Sequence, residues 1–135
     1  MIYYADGGGW NGNYSRWGIV NENQELIMYA KIFGHSDVTN NIAEYSAVIN
    51  ALIIARSGDT IISDSQLVIY QLLGKYRCKA HNLRPLYEAG IKILSGKNIQ
   101  LQWKPREENL AGKLLDSLSF NIVSTCRFQC LYKKR

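Results

Sequence analysis

Hydrophobic and polar positions along the 135 residues change period several times, and each change marks an element. A short apolar run, Ile2 to Ala5, ends on Asp6 and meets the dense turn signal Gly7-Gly8-Gly9-Trp10-Asn11-Gly12-Asn13, which predicts a strand closing at Asp6 and a tight connection after it. Runs over about 15–21 and 25–34, rich in Ile, Val, Tyr, Trp and Phe and separated by Glu22-Asn23-Gln24, complete a predicted meander of three antiparallel strands. From about Asn41 to Arg56 the apolar residues Ile42, Tyr45, Val48, Ile49, Leu52 and Ile53 recur at three- and four-residue steps, the pattern of an amphipathic helix stopped by Ser57-Gly58. Thr60-Ile61-Ile62 reads as a short strand closing at Asp64. Apolar on both faces, it suits a parallel pairing.

A helix is predicted from Ser65 to about Leu73 with Gly74 as its stop, and another over 82–94, where Pro85 is tolerated in the first turn. Asn98 to Lys104 alternates as a strand does and Pro105 ends it; a last helix then runs from about Asn109 to Ile122. The expected fold is a mixed α/β domain: a five-stranded sheet, three strands antiparallel and the later ones parallel, with helices on both faces. No repeat or linker divides the chain, so residues 1–135 read as one domain, with 120–135 a tail of unassigned structure. Trp17, Trp103, Phe33 and most tyrosines are assigned to the core.

Charge sharpens this picture. Residues 1–64 carry three basic and seven acidic side chains, residues 65–135 thirteen basic and four acidic. Lys75, Arg77, Lys79 and Arg84 fall within ten positions, a cluster suited to a polyanion, although a solvated, solubilising surface has the same composition. No apolar run approaches the roughly 18 residues of a membrane span, and the chain starts without the basic and small-residue features of a secretion signal, so a cytoplasmic protein without membrane attachment is expected. Cys78, Cys126 and Cys130 match neither a paired framework nor a zinc site and read as free thiols; a bridge involving Cys126 or Cys130 stays open.

Three acids sit at changes of direction. Asp6 closes the first strand, Asp64 closes the fourth, and Glu44 lies in the first turn of the first helix, 38 and 20 residues apart in sequence. If strands one and four are neighbours, Asp6 and Asp64 emerge at one sheet edge, where open α/β sheets place their sites. Clustered carboxylates repel, so they require raised pKa values or cations; hard oxygen ligands favour Mg²⁺ or Mn²⁺, and a pair of such ions clamps the attacking and leaving oxygens of a phosphodiester. Each acid also has a local explanation: Glu44 in a capping box with Asn41, Asp6 opening the Gly-rich turn, Asp64 capping the second helix.

The segments Tyr4-Ala5-Asp6-Gly7-Gly8, Thr39-Asn40-Asn41-Ile42-Ala43-Glu44, Ser63-Asp64-Ser65-Gln66 and Pro105-Arg106-Glu107-Glu108-Asn109 resemble, in order and interval, those of type 1 ribonuclease H, and the likeness extends from Met1 to about Leu118. The resemblance implies an endonuclease that hydrolyses the RNA strand of an RNA/DNA hybrid with two Mg²⁺ ions, leaving 5′-phosphate and 3′-hydroxyl ends. It implies Asp6, Glu44 and Asp64 as metal ligands, with Asp6 bridging both ions. It also implies Asn40, Asn41 and Gln66 as minor-groove contacts, with Asn11 and Asn13 joining them; amide groups suit 2′-hydroxyls, which both donate and accept. Lys75, Arg77, Lys79 and Arg84 match the place of the family's basic grip on the DNA strand, here short, and Arg106 occupies the loop facing the scissile phosphate, where many members have His. Tyr76 and Trp10 are candidates for stacking or for simple packing.

The departure is the fourth acid. Four residues past Asn109, where the family has Asp, stands Lys113, and the nearest acid is Asp116, seven residues after Asn109 and on the same side of an ideal helix. Asp116 is taken as the fourth ligand, with Asn109 as the alternative. A rival reading follows: a hybrid-binding module weakened in turnover. A nuclease acting on DNA gives the asparagines and Gln66 no role. A monomer is expected.

Overall fold

The computed structural model describes residues 1–34 and 40–118. Five strands, β1 (Ile2–Gly8), β2 (Tyr14–Asn21), β3 (Leu26–Phe33), β4 (Thr60–Ser63) and β5 (Gln100–Trp103), form one sheet in the order β3-β2-β1-β4-β5. The helices are α1 (Asn40–Ile54), α2 (Gln66–Leu72), α3 (Arg84–Gly96) and α4 (Leu110–Leu118), with a single 3-10 turn at Arg106–Glu108 before α4. β2 pairs antiparallel with both β1 and β3, whereas β1 and β5 flank β4 in parallel. The predicted mixed sheet is what forms. Its first strand runs two residues past Asp6, so the Gly-rich turn starts at Gly9 rather than Gly7.

Alternation along β1 explains how helices come to lie on both faces. Gly7 faces α1 so closely that a Cβ there would collide with the Ala43 backbone. Its neighbour Asp6 points to the opposite face, where its cross-strand partner Gly18 lies under Leu115 of α4. On the α1 side the core gathers Ala5, Trp17, Ile19, Tyr45, Val48, Leu52, Ile61 and Val68, with α3 laid against α1. Gly90 of α3 makes that approach possible, since a Cβ there would stand 2.7 Å from Leu72 and 2.8 Å from Ile49. The end of α1 is closed by Lys97, whose ammonium donates to the carbonyls of Leu52, Ile53 and Ala55 at 2.8–2.9 Å.

Local signals place the ends of α2 and α4. Ser65 caps α2, its hydroxyl accepting the Val68 N–H at 3.2 Å, so Asp64 is released from the capping role open to it in sequence. Asn109 caps α4: its carbonyl oxygen accepts the Ala111 N–H at 3.1 Å, and its amide donates 3.0 Å to the Ala5 carbonyl, tying α4 to β1. α1 starts at Asn40, so Asn41 is inside the helix and does not cap it. Trp17 is buried and Trp103 half-buried, as expected for core residues; Phe33 is not, being 49% exposed at the end of the edge strand β3. Cys78 is a buried free thiol; His35, Thr39, the remainder of the expected last helix, Cys126 and Cys130 lie outside the described residues.

Candidate active site

Parallel pairing of β1 with β4 brings Asp6 and Asp64 to one edge of the sheet, and α1 delivers Glu44 from the opposite face, at its fifth residue rather than in the first turn as expected, because the helix starts at Asn40. Carboxylate oxygens of the three lie within 4.8 Å of one another. Asp6 is 5% exposed, and its Oδ1 is buried without a hydrogen-bond partner. Burial and the nearby Asp64 charge push Asp6 up to about 6 against the pull of Arg106 and Arg16. Glu44 is pushed up to about 7, first by burial, while the Ser65 hydroxyl hydrogen-bonds it and draws it back. Asp64 also rises through burial, opposed by Arg106 and by a hydrogen bond from Asn109. Three desolvated acids with one buried oxygen left unsatisfied are a donor set for a hard divalent cation, which supplies what the protein itself does not.

Helix α4 passes over this group of acids. The α4 residue facing Asp6 is Gly112, and a Cβ placed there would stand 3.7 Å from Asp6 Oδ2. Lys113, at the position where the resemblance implies an acid, is exposed and shares a cavity of about 300 Å³ with Arg106, Glu107, Gly112 and Asp116.

Of the two sequence choices for a fourth ligand, Asn109 meets the acids through its hydrogen bond to Asp64, and Asp116 stands outside the carboxylate group. Asp116 is 61% exposed, with Oδ1 3.0 Å from Arg16 Nη2 and Oδ2 3.7 Å from Arg106 Nη2. Asn109 is fully buried with both ends of its amide engaged by Ala5 and Ala111. Asn109, at φ −90° and ψ 104°, is extended rather than helical, while Asp116 lines a small cavity together with Asp6. Arg106 does face the acids, with Nη1 3.9 Å from Asp6 Oδ1 and 3.8 Å from Asp64 Oδ2.

Around the acids the sequence-predicted contacts are exposed at the same edge. Asn40 starts α1, and a Cβ on Gly8 would stand 3.2 Å from its side-chain oxygen; Asn41 and Gln66 occupy the exposed starts of α1 and α2. Asn11 has a structural task, its side-chain oxygen accepting the N–H groups of Asn13 and Tyr14 at 2.9 and 3.1 Å, which fixes the loop that displays Asn13. Lys75, Arg77 and Lys79 are exposed between α2 and α3, and Arg84 is exposed as the first residue of α3. Buried Cys78 and the Gln71 amide, which donates to the Arg77 carbonyl at 3.2 Å, anchor their segment. Tyr76 packs edge-on against Tyr70, over whose ring Lys75 lies at 5.3 Å.

Sequence reasoning missed Arg16. Its position opposite Gly8, on the Asp6 face of the sheet, follows only from the β1–β2 register. A strand cation two residues before a glycine gives no separate signal.

Residues 10–115 match a family model described as reverse transcriptase-like. The bifunctional protein Rv2228c of Mycobacterium tuberculosis is 32% identical over 76 residues, which make up 53% of this chain and 21% of that protein; an uncharacterized protein of Mycobacterium bovis matches equally. The match thus spans about a fifth of the length of these curated relatives. Among solved structures, LC11-RNase H1 in complex with RNA/DNA hybrid superimposes with a TM-score of 0.65 at 26% identity, covering 80% of this chain and 87% of the other. RNase H1 from Halobacterium salinarum gives 0.62 at 27%, covering 86% and 97%. The N-terminal RNase H domain of Rv2228c gives 0.66 at 24% identity, covering 90% and 96%, a likeness of fold. The resemblance read from the four motifs is borne out. The chain belongs to the reverse transcriptase-like family and carries a domain of the ribonuclease H type, the class of hydrolytic enzymes to which these structural neighbours belong.

Proposed function

We propose that the protein is an endonuclease that hydrolyses the RNA strand of RNA/DNA hybrids, leaving 5′-phosphate and 3′-hydroxyl ends. The observation that carries this reading is the convergence of Asp6, Glu44 and Asp64, with carboxylate oxygens within 4.8 Å, inside the ribonuclease H fold. These three side chains are the proposed ligands of two Mg²⁺ or Mn²⁺ ions, which when bound supply a nucleophile at neutral pH and stabilise the attacking and leaving oxygens.

The remaining work falls to the chain's own groups. Asn40, Asn41, Gln66 and Asn13 present amides to 2′-hydroxyls, the feature that separates an RNA strand from DNA. Lys75, Arg77, Lys79 and Arg84 hold phosphates of the DNA strand without reading sequence. Arg106, 63% exposed beside Asp6 and Asp64, offers a permanent positive charge to the reacting phosphate; its guanidinium exchanges no proton near neutral pH. The described residues contain no helix long and apolar enough to cross a membrane, and the proposed partner is a nucleic acid met by a monomer in the cytoplasm.

One observation favours a second reading, a hybrid-binding module with weakened turnover: Asp116 stands outside the carboxylate group. A gel assay with Mg²⁺ or Mn²⁺ on matched RNA/DNA hybrid, duplex RNA and duplex DNA separates the two. Selective nicking of the RNA strand of the hybrid is expected. Retention of hybrid without cleavage establishes the binder, and cutting of duplex DNA overturns both.

A further inference from the structure

On the α4 side of the acids lies a cavity of about 180 Å³, walled by Asp6, the Gly7–Gly9 segment, Arg16, Arg106 and Asp116. It is larger than a water site, which takes ~30 Å³, and smaller than the roughly 300–1,000 Å³ of pockets for drug-sized ligands. Two guanidinium groups reach it. Arg16 comes from β2, only 20% exposed, and is held by Asp116 at 3.0 Å; Arg106 approaches the same carboxylate at 3.7 Å from the loop before α4. Asp116 therefore orders both cations.

The turn is shaped around Arg16. Gly9 adopts φ +71°, and a Cβ on it would stand 2.8 Å from Arg16 Nη1, so a bare backbone is what leaves the guanidinium its place. Arg16 Nε is buried without a hydrogen-bond partner. Lys31, the cross-strand partner of Arg16 on β3, continues the row of cations away from the acids and lies 4.4 Å over the Tyr14 ring. A planar guanidinium fixed beside a second one, in a small cavity edged by exposed polar surface, suits the fork-like recognition of a tetrahedral oxyanion.

We propose that this cavity holds a backbone phosphate of the RNA strand adjacent to the one cleaved, with Arg16 as its binding residue and Asp116 as a positioning residue for Arg16 and Arg106. The proposal rests on the hybrid-nuclease reading and assigns Asp116 to the arginines instead of the metal. It gives the strand a fixed register relative to Asp6, so that the scissile phosphate is presented to the acids by its neighbour.

The test uses hybrids in which one RNA linkage at a time is a neutral methylphosphonate, with binding followed by fluorescence anisotropy in EDTA so that nothing is cut. With the unaltered protein, neutralising one linkage beside the cleavage position is expected to weaken binding about 10-fold, the effect of a single lost charge-assisted contact. In Arg16→Met the same linkage should matter less than about twofold, and Arg16→Lys should restore part of the effect, which a merely structural role would not do. Asp116→Asn should reduce the linkage effect while its affinity for Mn²⁺, measured by calorimetry, stays close to that of the unaltered protein. If the protein binds hybrid but no linkage depends on Arg16, the phosphate site is overturned and the nuclease reading survives. If Asp116→Asn loses Mn²⁺ affinity as Asp64→Asn does, Asp116 is a ligand and its positioning role is overturned. Failure to bind any hybrid overturns the site together with the reading beneath it.

Discussion

The acidic edge and the basic segment face the same proposed ligand and are built in opposite ways. Asp6, Glu44 and Asp64 come from two strands and a helix, are largely withdrawn from water, and stand close enough that Asp64 raises the pKa values of Asp6 and Glu44 beyond what burial does. Lys75, Arg77, Lys79 and Arg84 come from one short stretch, are exposed, and touch little beyond Tyr70, Glu88, Tyr87 and the Cys78 carbonyl. Concentrated, desolvated charge is costly in a protein without cations and useful once they are bound. Dispersed, solvated charge costs the fold little and adds up over many phosphates. Changes at the acids should therefore be abrupt and those at the cations graded.

The largest effect is expected from Asp6→Asn. It removes the most buried member of the acidic group and should lower kcat/KM on hybrid by at least about 10³-fold, in the range of losing several kcal/mol of transition-state stabilisation. The same change relieves repulsion, so the metal-free variant should melt a few degrees higher than the parent. Near-parental cleavage by this variant would remove the acids from the reaction.

A smaller effect is expected from the double change Arg77→Ala with Lys79→Ala. Hybrid affinity at low salt should fall by about 10-fold, and the slope of log affinity against log salt should flatten by about two, one per phosphate contact, with kcat kept. An unchanged salt slope would mean that these side chains only keep the protein soluble.

The smallest expected effect is on stability against pH. Asp6 and Glu44 titrate near 6 and 7 in the folded chain and near 4 when unfolded, so the folded state binds more protons between these values. Their contribution is greatest below about pH 4 and declines as pH rises through 6 and 7. In EDTA the melting temperature should fall by a few degrees between pH 5 and 8, and Glu44→Gln should flatten the decline. A melting temperature that rises over this range would contradict the burial assigned to the acids.

The order of elements was legible because each leaves a local mark: alternation in β2 and β3, the three-to-four step of α1, Pro85 at the start of α3, and glycine stops. The acids were legible because each lies within a few residues of a turn: Asp6 two residues before the end of β1, Asp64 just past β4, and Glu44 near the start of α1. What escaped depends on contacts between distant segments. Arg16 joins the acids only through its pairing with Gly8, and Gly112 matters only because α4 crosses directly over Asp6. Helical phase counted from Asn109 puts Asp116 on a side shared with Asp6 but says nothing of its pairing with Arg16, a residue of another strand. Apolar character assigns Phe33 to the core, but it ends an edge strand, where Tyr14 stacks against it at 5.4 Å, Lys31 approaches at 5.9 Å and half of its surface stays exposed.

Anomalous scattering from crystals soaked in Mn²⁺ tests the central claim most directly. The account predicts a peak among the carboxylates of Asp6, Glu44 and Asp64, lost in Asp6→Asn crystals. Manganese bound elsewhere on the protein, with those three carboxylates bare at saturating concentration, would contradict it.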